Sequence, residues 1–417
     1  MIRTHILKAQ HERRQLDALN QESGRLYTLT MVWHWRIYRR QGKWIAPRQA
    51  ERLGDSLHGG TTLHAHSCDA AQQAFYKACK TARTNRHGES RARFPYRRKR
   101  YRTTYWKKTG IRLRNGIVFL ARARGLKPVQ IRLPYALLPE AEIVEVRLVF
   151  NHKAKGYEWH LVVDDHQEMP PAPGAQVAGL DLGEIHPAVV ATADEACVFT
   201  ARELRSIGQY RNKKQAAIRQ RQVRCVKKSR MWWRLQRRWN RIRRACERRQ
   251  RDILNKVSRA VIEWCVAHRV GVLVIGDVRD ITCGKRLGRK SQQKVSQWAH
   301  GQLRDYLTYK ATERGIRVEL QSERYTTQTC PACGDRYKPS GRTYQCRACG
   351  LRMHRDIVGA ANIRTAYLVG SPGGACPQVM KFHRPFQKYR DHESRRPVDT
   401  GQVAGFGRKS SLPHQAA

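Results

Sequence analysis

Apolar and polar positions in the first 168 residues predict strands grouped around a helical region. A short strand-like stretch, Ile2–Ile6, precedes helical spacing that carries Leu16 and Leu19, and a second helical stretch follows at Ala70–Thr84. Beyond Gly110 the pattern changes to short β-like runs separated by turn residues. These runs are Ile111–Leu113, Ile117–Leu120, Val129–Leu133, Val144–Phe150 and Trp159–Val163. We therefore expect an antiparallel sheet or a small barrel here.

After the Pro-rich segment Met169–Gly174, strand and helix patterns alternate. The wholly apolar run Val270–Ile275 is typical of a central strand that is buried on both faces. An amphipathic helix is expected from Ile253, and another is expected to carry Val295–Leu307 and to stop at Gly315. Further strands are predicted at Val177–Leu182, Pro187–Thr192, Cys197–Thr200 and Ile316–Leu320, and a final helix at Asp356–Thr365. The second half is thus predicted to be an α/β core.

The charge of the chain indicates a polyanionic partner. The 417 residues include 82 Lys and Arg against 33 Asp and Glu, a net charge of +49, while a hydrophobic content of 40% excludes a fully disordered chain. Arg202–Arg249 is predicted to be an Arg-rich helical hairpin. Arg91–Arg114 holds 11 basic and no acidic residues, interleaved with aromatic ones. Such segments can follow a phosphate backbone and stack on bases, so nucleic-acid binding is expected.

Four of the 12 cysteines form two CxxC pairs, and each pair is followed by a glycine. The pairs are Cys330 with Cys333 and Cys346 with Cys349. This spacing is typical of a structural zinc site, because four thiolates complete a tetrahedron and leave no position for water. The other eight cysteines are dispersed and are expected to be reduced. We find no apolar run long enough for a membrane span and no signal-peptide pattern at the start.

Two aspartates stand where catalytic carboxylates could lie. Asp181 interrupts an apolar strand, although it could be a turn residue before Gly183, and Asp356 precedes a helix, where it could be an N-cap. Together with an α/β core, these positions resemble a ribonuclease-H-like nuclease. Two-metal phosphodiester hydrolysis needs several acidic groups that converge on the ions. His186 and His354 lie near these acids in sequence and are expected to be hydrogen-bonding neighbours.

Three motifs carry a family resemblance: Gly179–Gly183, Tyr325–Gly334 and His354–Ile363. They resemble TnpB, the transposon-encoded, RNA-guided nuclease of the OrfB group, which is related to the compact type V CRISPR effectors. The resemblance implies an α/β RuvC/RNase H-like nuclease domain with an inserted four-cysteine zinc ribbon, preceded by a β-barrel wedge domain with a helical recognition insertion. The implied boundaries are 1–168 for the wedge (insertion at about 10–110), 169–176 for a linker, 177–329 for the first RuvC part, 330–350 for the ribbon, 351–369 for the last RuvC part and 370–417 for a flexible basic tail.

The second RuvC carboxylate departs from the family pattern. The family usually has Glu-Asp after the strand Val270–Ile275, whereas this chain has Gly276-Asp277. Glu323 follows the neighbouring predicted strand and could supply the missing carboxylate to the same metals. Asp277 is a competing candidate, although strand alternation would point it away from the usual position. A chain without nuclease activity is the third alternative.

The resemblance implies an RNA-guided DNA endonuclease in the cytoplasm of a prokaryotic cell, acting as a monomer or homodimer on guide RNA and target DNA. Asp181, Glu323 and Asp356 would hold two Mg²⁺ or Mn²⁺ ions, and the four cysteines one Zn²⁺. The expected nucleic-acid-binding residues are Arg97, Arg98, Lys99, Arg100, Arg102, Trp106, Arg234, Arg237 and Arg238. Two alternatives remain: a nuclease-inactive, RNA-guided repressor, motivated by Gly276, and a transposase that joins DNA ends, for which no Tyr in a His-x-His setting is present.

Overall fold

A computed structural model describes residues 2–54, 60–88, 92–152, 155–279, 288–339, 341–374 and 376–385 of the chain. The chain divides into two compact units, Met1–Glu168 and Met169–Ala417. None of the helices in these described ranges combines the length and the apolar character that a membrane span requires.

The described residues of the first unit form seven strands and three α-helices. In chain order these are β1 (Ile2–Lys8), α1 (Arg13–Gln41), α2 (Pro47–Gly54), α3 (Ala65–Gly88), β2 (Thr104–Lys107), β3 (Ile111–Arg114), β4 (Ile117–Leu120), β5 (Val129–Arg132), β6 (Glu142–Asn151) and β7 (Gly156–Asp164). One antiparallel sheet has the order β1-β7-β6-β2, and a second has the order β3-β4-β5. The antiparallel structure expected after Gly110 is therefore confirmed.

Alternation along β7 explains how this unit forms its core. Every second residue of β7 is buried, including Trp159, while the residues between them are more exposed. Trp159 packs in one apolar cluster with Val118 of β4 and Val146 of β6, so both sheets share a core. That the two sheets form a barrel wedge stays a prediction.

Helices α1 to α3 lie between β1 and β2 in the chain and have a core of their own around Tyr27 and Phe75. The residues after α3 run along α1, where Gly24 permits a close approach. An ideal Cβ at Gly24 would lie only 2.6 Å from the carbonyl oxygen of Arg100. Thr28 fixes the same segment, because the amide of Lys99 donates to its hydroxyl at 3.0 Å.

In the described part of the second unit there are eight strands and five helices. In chain order these are β8 (Gln176–Asp181), β9 (Ala188–Ala191), β10 (Glu195–Phe199), α4 (Arg202–Val223), α5 (Arg230–Ala267), β11 (Val270–Asp277), α6 (Arg289–Gln297), α7 (His300–Thr312), β12 (Arg317–Ser322), β13 (Thr343–Gln345), β14 (Arg352–His354), α8 (Arg355–Val369) and β15 (Val379–His383). The main sheet has the order β12-β11-β8-β9-β10-β15. Strands β12, β11 and β8 are parallel, and β9 is antiparallel to both of its neighbours.

Both faces of this sheet are covered, as the apolar sequence of β11 predicts. Val257 of α5 and Leu307 of α7 pack on one face. Ile357 of α8 packs on the other face together with the hairpin β13–β14. The α/β core predicted for the second half is confirmed.

Three details differ from the sequence-based expectations. The second arm of the Arg-rich hairpin does not end at Arg249, because α5 continues to Ala267 without a Gly or Pro to break it. The helix expected over Val295–Leu307 is interrupted, because Trp298 has an extended backbone conformation and packs on the core. The tail predicted after Gly370 is not wholly irregular, since β15 pairs in parallel with β10; residues beyond 385 lie outside the described ranges.

Candidate functional site

Three carboxylates converge at one edge of the main sheet. Asp181 ends β8, Glu323 directly follows β12, and Asp356 lies in the first turn of α8. Because β8 and β12 run parallel on either side of β11, their carboxyl ends meet at the same edge. Strand topology thus brings together acids that are far apart in sequence.

Close packing between β8 and α8 brings Asp356 to this edge. An ideal Cβ at Gly179 would lie 2.1 Å from the Ala360 carbonyl oxygen, so only glycine lets the helix approach the strand this closely. Gly359 faces Asp181 in the same way, since a Cβ there would lie 3.0 Å from the Asp181 Oδ2. Two glycines therefore set the distance between the first and third predicted acids.

The carboxylates influence one another electrostatically. Burial raises the pKa of Asp181 well above its ordinary value, and the neighbouring Glu323 and Asp356 raise it further. A buried carboxylate with two acidic neighbours is unfavourable in its ionised form unless a cation neutralises the charge. The cluster therefore has the charge and the oxygen donors of a divalent-cation site.

Glu323 fills the space that a side chain at position 276 would take. An ideal Cβ on Gly276 would lie 2.1 Å from the Glu323 Oε1 and 2.8 Å from its Cδ. The register explains this overlap, since Gly276 of β11 stands beside Gln321 of β12, two residues before Glu323. The glycine and the glutamate are thus complementary: the chain lacks a side chain where Glu323 places its carboxylate.

The carboxylate of Glu323 has an unusual environment. Its Oε1 is buried and has no hydrogen-bond partner among the described residues. Burial raises the pKa of Glu323 to about 7, and the charge of Asp277 adds to the shift. Asp277 is engaged elsewhere, because the Arg279 guanidinium donates to it at 2.9 Å and holds its pKa below the ordinary value.

Asp356 is surrounded by positively charged and imidazole groups. The Arg342 guanidinium donates to the Asp356 Oδ2 at 3.2 Å. The backbone amide of Asp356 donates to the Nδ1 of His354 at 3.3 Å, so the His354 side chain caps the N-terminus of α8. His186 is buried and its ring contacts that of His354, with the ring centroids 5.3 Å apart. Burial lowers the pKa of both imidazoles. The sequence-based view of His354 as a hydrogen-bonding neighbour is confirmed.

The four predicted zinc cysteines lie together. Their Sγ atoms are all within 4.8 Å of one another, with Cys330–Cys349 at 3.6 Å and Cys333–Cys346 at 3.5 Å. Thiolates bound tetrahedrally to Zn²⁺ at about 2.3 Å stand roughly 3.8 Å apart, so the donor set fits this ion. Positive φ angles at the glycines after each pair, +79° at Gly334 and +74° at Gly350, form the turns that the spacing predicts.

The basic segment after α3 presents most of its predicted nucleic-acid-binding residues to solvent. Arg97, Arg98, Lys99 and Arg100 are exposed. Arg102 is half-buried and stacks on the Tyr27 ring, with its Cζ 4.2 Å from the ring centroid. The prediction for Trp106 is wrong: it is 1% exposed in the core, and its indole N–H donates to the Ala121 carbonyl at 2.8 Å. Alternation along β2 turns this aromatic ring inward.

The Arg-rich helices α4 and α5 form the predicted hairpin. Arg234, Arg237 and Arg238 are exposed on α5. Trp239 is not free to stack on a base, because the guanidinium carbons of Arg219 and Arg243 lie 5.5 and 5.4 Å from its ring centroid. The exposed charges, rather than this tryptophan, make α5 a candidate contact for a phosphate backbone.

One contact in the site has no signal in the sequence. Arg342 lies inside the cysteine cluster segment, 14 residues before Asp356, and only the pairing of β13 with β14 brings it to that carboxylate. The backbone of Arg342 also contacts Arg355, whose amide donates to the Arg342 carbonyl at 2.7 Å. No spacing rule predicts such a contact.

Two sequence families match separate parts of the second half of the chain. Residues 160–282 match OrfB_IS605, described as "Probable transposase", and residues 300–363 match the "Cas12f1-like, TNB domain". The first match includes Asp181 and Gly276, and the second includes Glu323, the four cysteines and Asp356. Both families therefore cover the residues of the candidate site.

Two curated proteins are similar in sequence. The chain is 28% identical over 246 residues to "Putative RNA-guided DNA endonuclease InsQ" of Escherichia coli (strain K12), covering 55% of this chain and 58% of InsQ. It is 31% identical over 117 residues to "CRISPR-associated endodeoxyribonuclease Cas12f1" of Sulfoacidibacillus thermotolerans, covering 27% and 26%. The matched region thus spans less than two thirds of either relative.

Solved structures show the same general fold at low sequence identity. A Cas12f1 chain from a cryo-EM complex with sgRNA and target DNA matches with a TM-score of 0.56 and 12% identity, covering 84% of this chain and 82% of that one. A CasPhi-2 (Cas12j) chain bound to crRNA and phosphorothioate DNA matches with a TM-score of 0.51 and 11% identity, covering 90% and 93%. The resemblance of this chain to the OrfB group and to the compact type V effectors is therefore confirmed.

Proposed function

We propose that this chain is an RNA-guided DNA endonuclease with a RuvC-type active site formed by Asp181, Glu323 and Asp356. The observation that carries the proposal is the overlap between Glu323 and position 276, because it supplies a carboxylate where the sequence alone lacks one. The similarity to InsQ and Cas12f1, named as an RNA-guided DNA endonuclease and a CRISPR-associated endodeoxyribonuclease, supports the substrate class.

The three carboxylates fit the divalent ions that such a site needs. The oxygen donors of Asp181 and Glu323 are acceptors only when ionised, and the Oε1 of Glu323 has no other partner among the described residues. Oxygen-only donor sets of this kind suit Mg²⁺ or Mn²⁺. When bound, a pair of such ions would activate water and stabilise the leaving oxygen of the phosphodiester.

The protein contributes a rigid and partly dry setting for these acids. The Gly179 and Gly359 contacts let α8 pack directly against β8, which places Asp356 near Asp181. Glu323 follows a strand whose register with β11 fixes its position. A site preorganised in this way does not spend binding free energy on ordering its ligands.

The exposed basic residues supply the contacts to nucleic acid. In RNA-guided effectors, base pairing between guide and target reads the sequence, while the protein contacts the backbone. The segment Arg97–Arg100 is held along α1 by Gly24 and Thr28, and its four residues are exposed to solvent. We assign this segment and the exposed arginines of α5 to that role.

Neutralising the basic segment tests this assignment. Replacing Arg97, Arg98, Lys99 and Arg100 together with Gln is expected to weaken RNA binding and to reduce the slope of log affinity against log salt by up to ~3, since each single-strand phosphate contact contributes ~0.7. Filter binding across a salt series measures the slope. In the control variant, the three arginines are replaced with Lys, which keeps the charge and should preserve the slope. An unchanged slope in the Gln variant would show that this segment does not contact the RNA.

The nuclease-inactive alternative rests on Gly276, and the geometry disfavours it. A chain that had lost its second acid without replacement would have no reason to keep a buried, unpartnered carboxylate oxygen beside Gly276. Inactivity would therefore require Glu323 to be retained at a free-energy cost without a role.

The experiment for the proposed function begins with the RNA. The full-length chain is expressed and purified, and the RNA bound to it is sequenced. A plasmid is then made that contains a sequence matching the end of that RNA, beside randomised flanking bases. This plasmid is incubated with the purified complex in Mg²⁺. We expect one defined RNA and guided cleavage that Asp181→Ala abolishes. Guided binding without cleavage would leave only the repressor function, and joining of DNA ends by the purified chain would indicate a transposase.

A further inference from the structure

Two histidines beside Asp356 are not explained by the carboxylate cluster. His186 lies in the loop between β8 and β9, and His354 precedes α8. One ring nitrogen of each and one carboxylate oxygen of Asp356 all lie within 4.8 Å of one another. The two rings meet edge to face, with their centroids 5.3 Å apart. Three donors from two separate stretches of the chain thus lie close together.

The ring contact with His354 leaves one nitrogen of His186 without a partner. Its side chain is 6% exposed, and its Nδ1 is buried with no hydrogen-bond partner in the described part of the chain. A buried polar nitrogen without a partner costs free energy and calls for a ligand. The Nδ1 of His354 accepts from the Asp356 amide at 3.3 Å, so an ion bound at this nitrogen would replace that long N-cap hydrogen bond.

The donor set selects a class of ion. Two imidazoles and one carboxylate suit first-row transition metals, whereas Mg²⁺ and Ca²⁺ prefer oxygen donors alone. Donors bound at about 2.1 Å to one ion stand roughly 3–4 Å apart, so a separation below 4.8 Å needs only a small contraction. We propose that His186, His354 and Asp356 bind one divalent transition-metal ion, such as Ni²⁺, Co²⁺ or Zn²⁺, at a site that shares Asp356 with the carboxylate cluster.

Arg342 is the natural competitor for this ion. Its guanidinium lies 3.2 Å from the Asp356 Oδ2, and its side chain is 45% exposed, so it can move into solvent. Arg355 near His354 and Arg202 near His186 add further positive charge. Removing the charge of Arg342 should therefore tighten metal binding rather than weaken it.

The site has a consequence that rests on the proposed function. An ion held by the two histidines draws the Asp356 carboxylate away from Asp181 and Glu323. Occupancy by Ni²⁺ should therefore inhibit Mg²⁺-dependent cleavage, and a variant without the imidazole of His186 should resist this inhibition.

Binding is tested on the full-length, zinc-loaded protein without any nuclease assay. Ni²⁺ is titrated by calorimetry in excess Mg²⁺. We expect a Ni²⁺ site that His186→Ala weakens by at least ~10-fold, the lower end of the loss seen when even a group supporting a metal ligand is removed. The matched control is His300→Ala, since His300 also has a buried Nδ1 without a partner in the described ranges but lies on α7.

A second variant covers the case in which His186→Ala does not fold. Arg342→Gln, at a half-exposed position, should bind Ni²⁺ more tightly than the wild type. Equal Ni²⁺ affinity in the wild type, His186→Ala and Arg342→Gln would overturn the proposal, as would an equal loss in His300→Ala.

Inhibition is measured separately as the Ni²⁺ concentration that halves each variant's own Mg²⁺-dependent cleavage rate. This concentration should rise at least ~10-fold in His186→Ala, in step with the weaker binding. An unchanged value would contradict the sharing of Asp356. If no DNA is cleaved under any condition, the proposed function fails while the calorimetry still decides the metal site.

Discussion

Glu323→Ala is expected to lower the rate of guided DNA cleavage by ~100-fold or more while RNA binding stays unchanged. The variant removes one of three oxygen donors that would neutralise and orient the catalytic ions, and such charge stabilisation amounts to several kcal/mol, with each ~1.4 kcal/mol worth tenfold in rate. Single-turnover cleavage of a matched target in Mg²⁺ measures the effect.

The matched control is Glu319→Ala. Glu319 lies on the same strand, but its side chain is 41% exposed and pairs with Arg317 at 3.3 Å. Its loss should leave the rate within twofold of the wild type, because surface ion pairs contribute about 0–1 kcal/mol. Asp277→Asn tests whether Asp277, rather than Glu323, is the second catalytic acid. If Asp277→Asn abolishes cleavage and Glu323→Ala does not, Asp277 is the second acid.

The overlap at position 276 permits a reciprocal exchange. Gly276→Ala should reduce cleavage with little loss of stability, because its Cβ would meet the movable end of Glu323 at 2.1 Å and push the carboxylate aside. The double variant Gly276→Glu with Glu323→Ala places the carboxylate where the family usually has it. We expect this exchange to recover at least ~10-fold of the rate lost in Glu323→Ala, equivalent to ~1.4 kcal/mol of the barrier.

Removing the zinc site is the second change with a large expected effect. Cys349→Ser should abolish stoichiometric zinc, lower the melting temperature and reduce cleavage by at least ~10-fold, the lower end of the loss seen when a metal-supporting group is removed. Cys349 is exposed, so the change removes a ligand without creating a cavity. The hairpin β13–β14 would lose its anchor, and with it the Arg342 contact and the His354 cap at Asp356.

Three quantities are measured on the Cys349→Ser variant: the zinc content by elemental analysis, the melting temperature and the cleavage rate. Cys225→Ser is the control, since Cys225 lies outside the cluster in the turn between α4 and α5 and should change none of the three. A zinc-free Cys349→Ser protein that cleaves at the wild-type rate would show that the ribbon does not position Asp356.

Much of the fold and of the candidate site was predictable because the signals are local or repeat along the chain. The apolar run of β11 and the alternation in β7 reveal strands, and two CxxC pairs reveal a four-cysteine cluster. Glu323 could be inferred because parallel neighbouring strands end at one edge of a sheet. Its overlap with position 276 needed the actual register.

Other features depend on which residues meet in space. Trp106 resembles its exposed aromatic neighbours in sequence, and only its place on β2 shows that it is buried. The strand β15 follows a glycine- and proline-rich stretch, so its pairing with β10 comes from the tertiary fold rather than from a local pattern. The contact of Arg342 with Asp356 likewise exists only once the hairpin has formed.

The most direct test of the central claim is an experimental structure of the protein with RNA and uncleaved DNA in Mn²⁺, with the ions located by anomalous scattering. We expect two Mn²⁺ ions bound by Asp181, Glu323 and Asp356, with an oxygen of Glu323 among the ligands beside Gly276. Ions bound by Asp181 and Asp356 alone, or with Asp277 in place of Glu323, would contradict that claim.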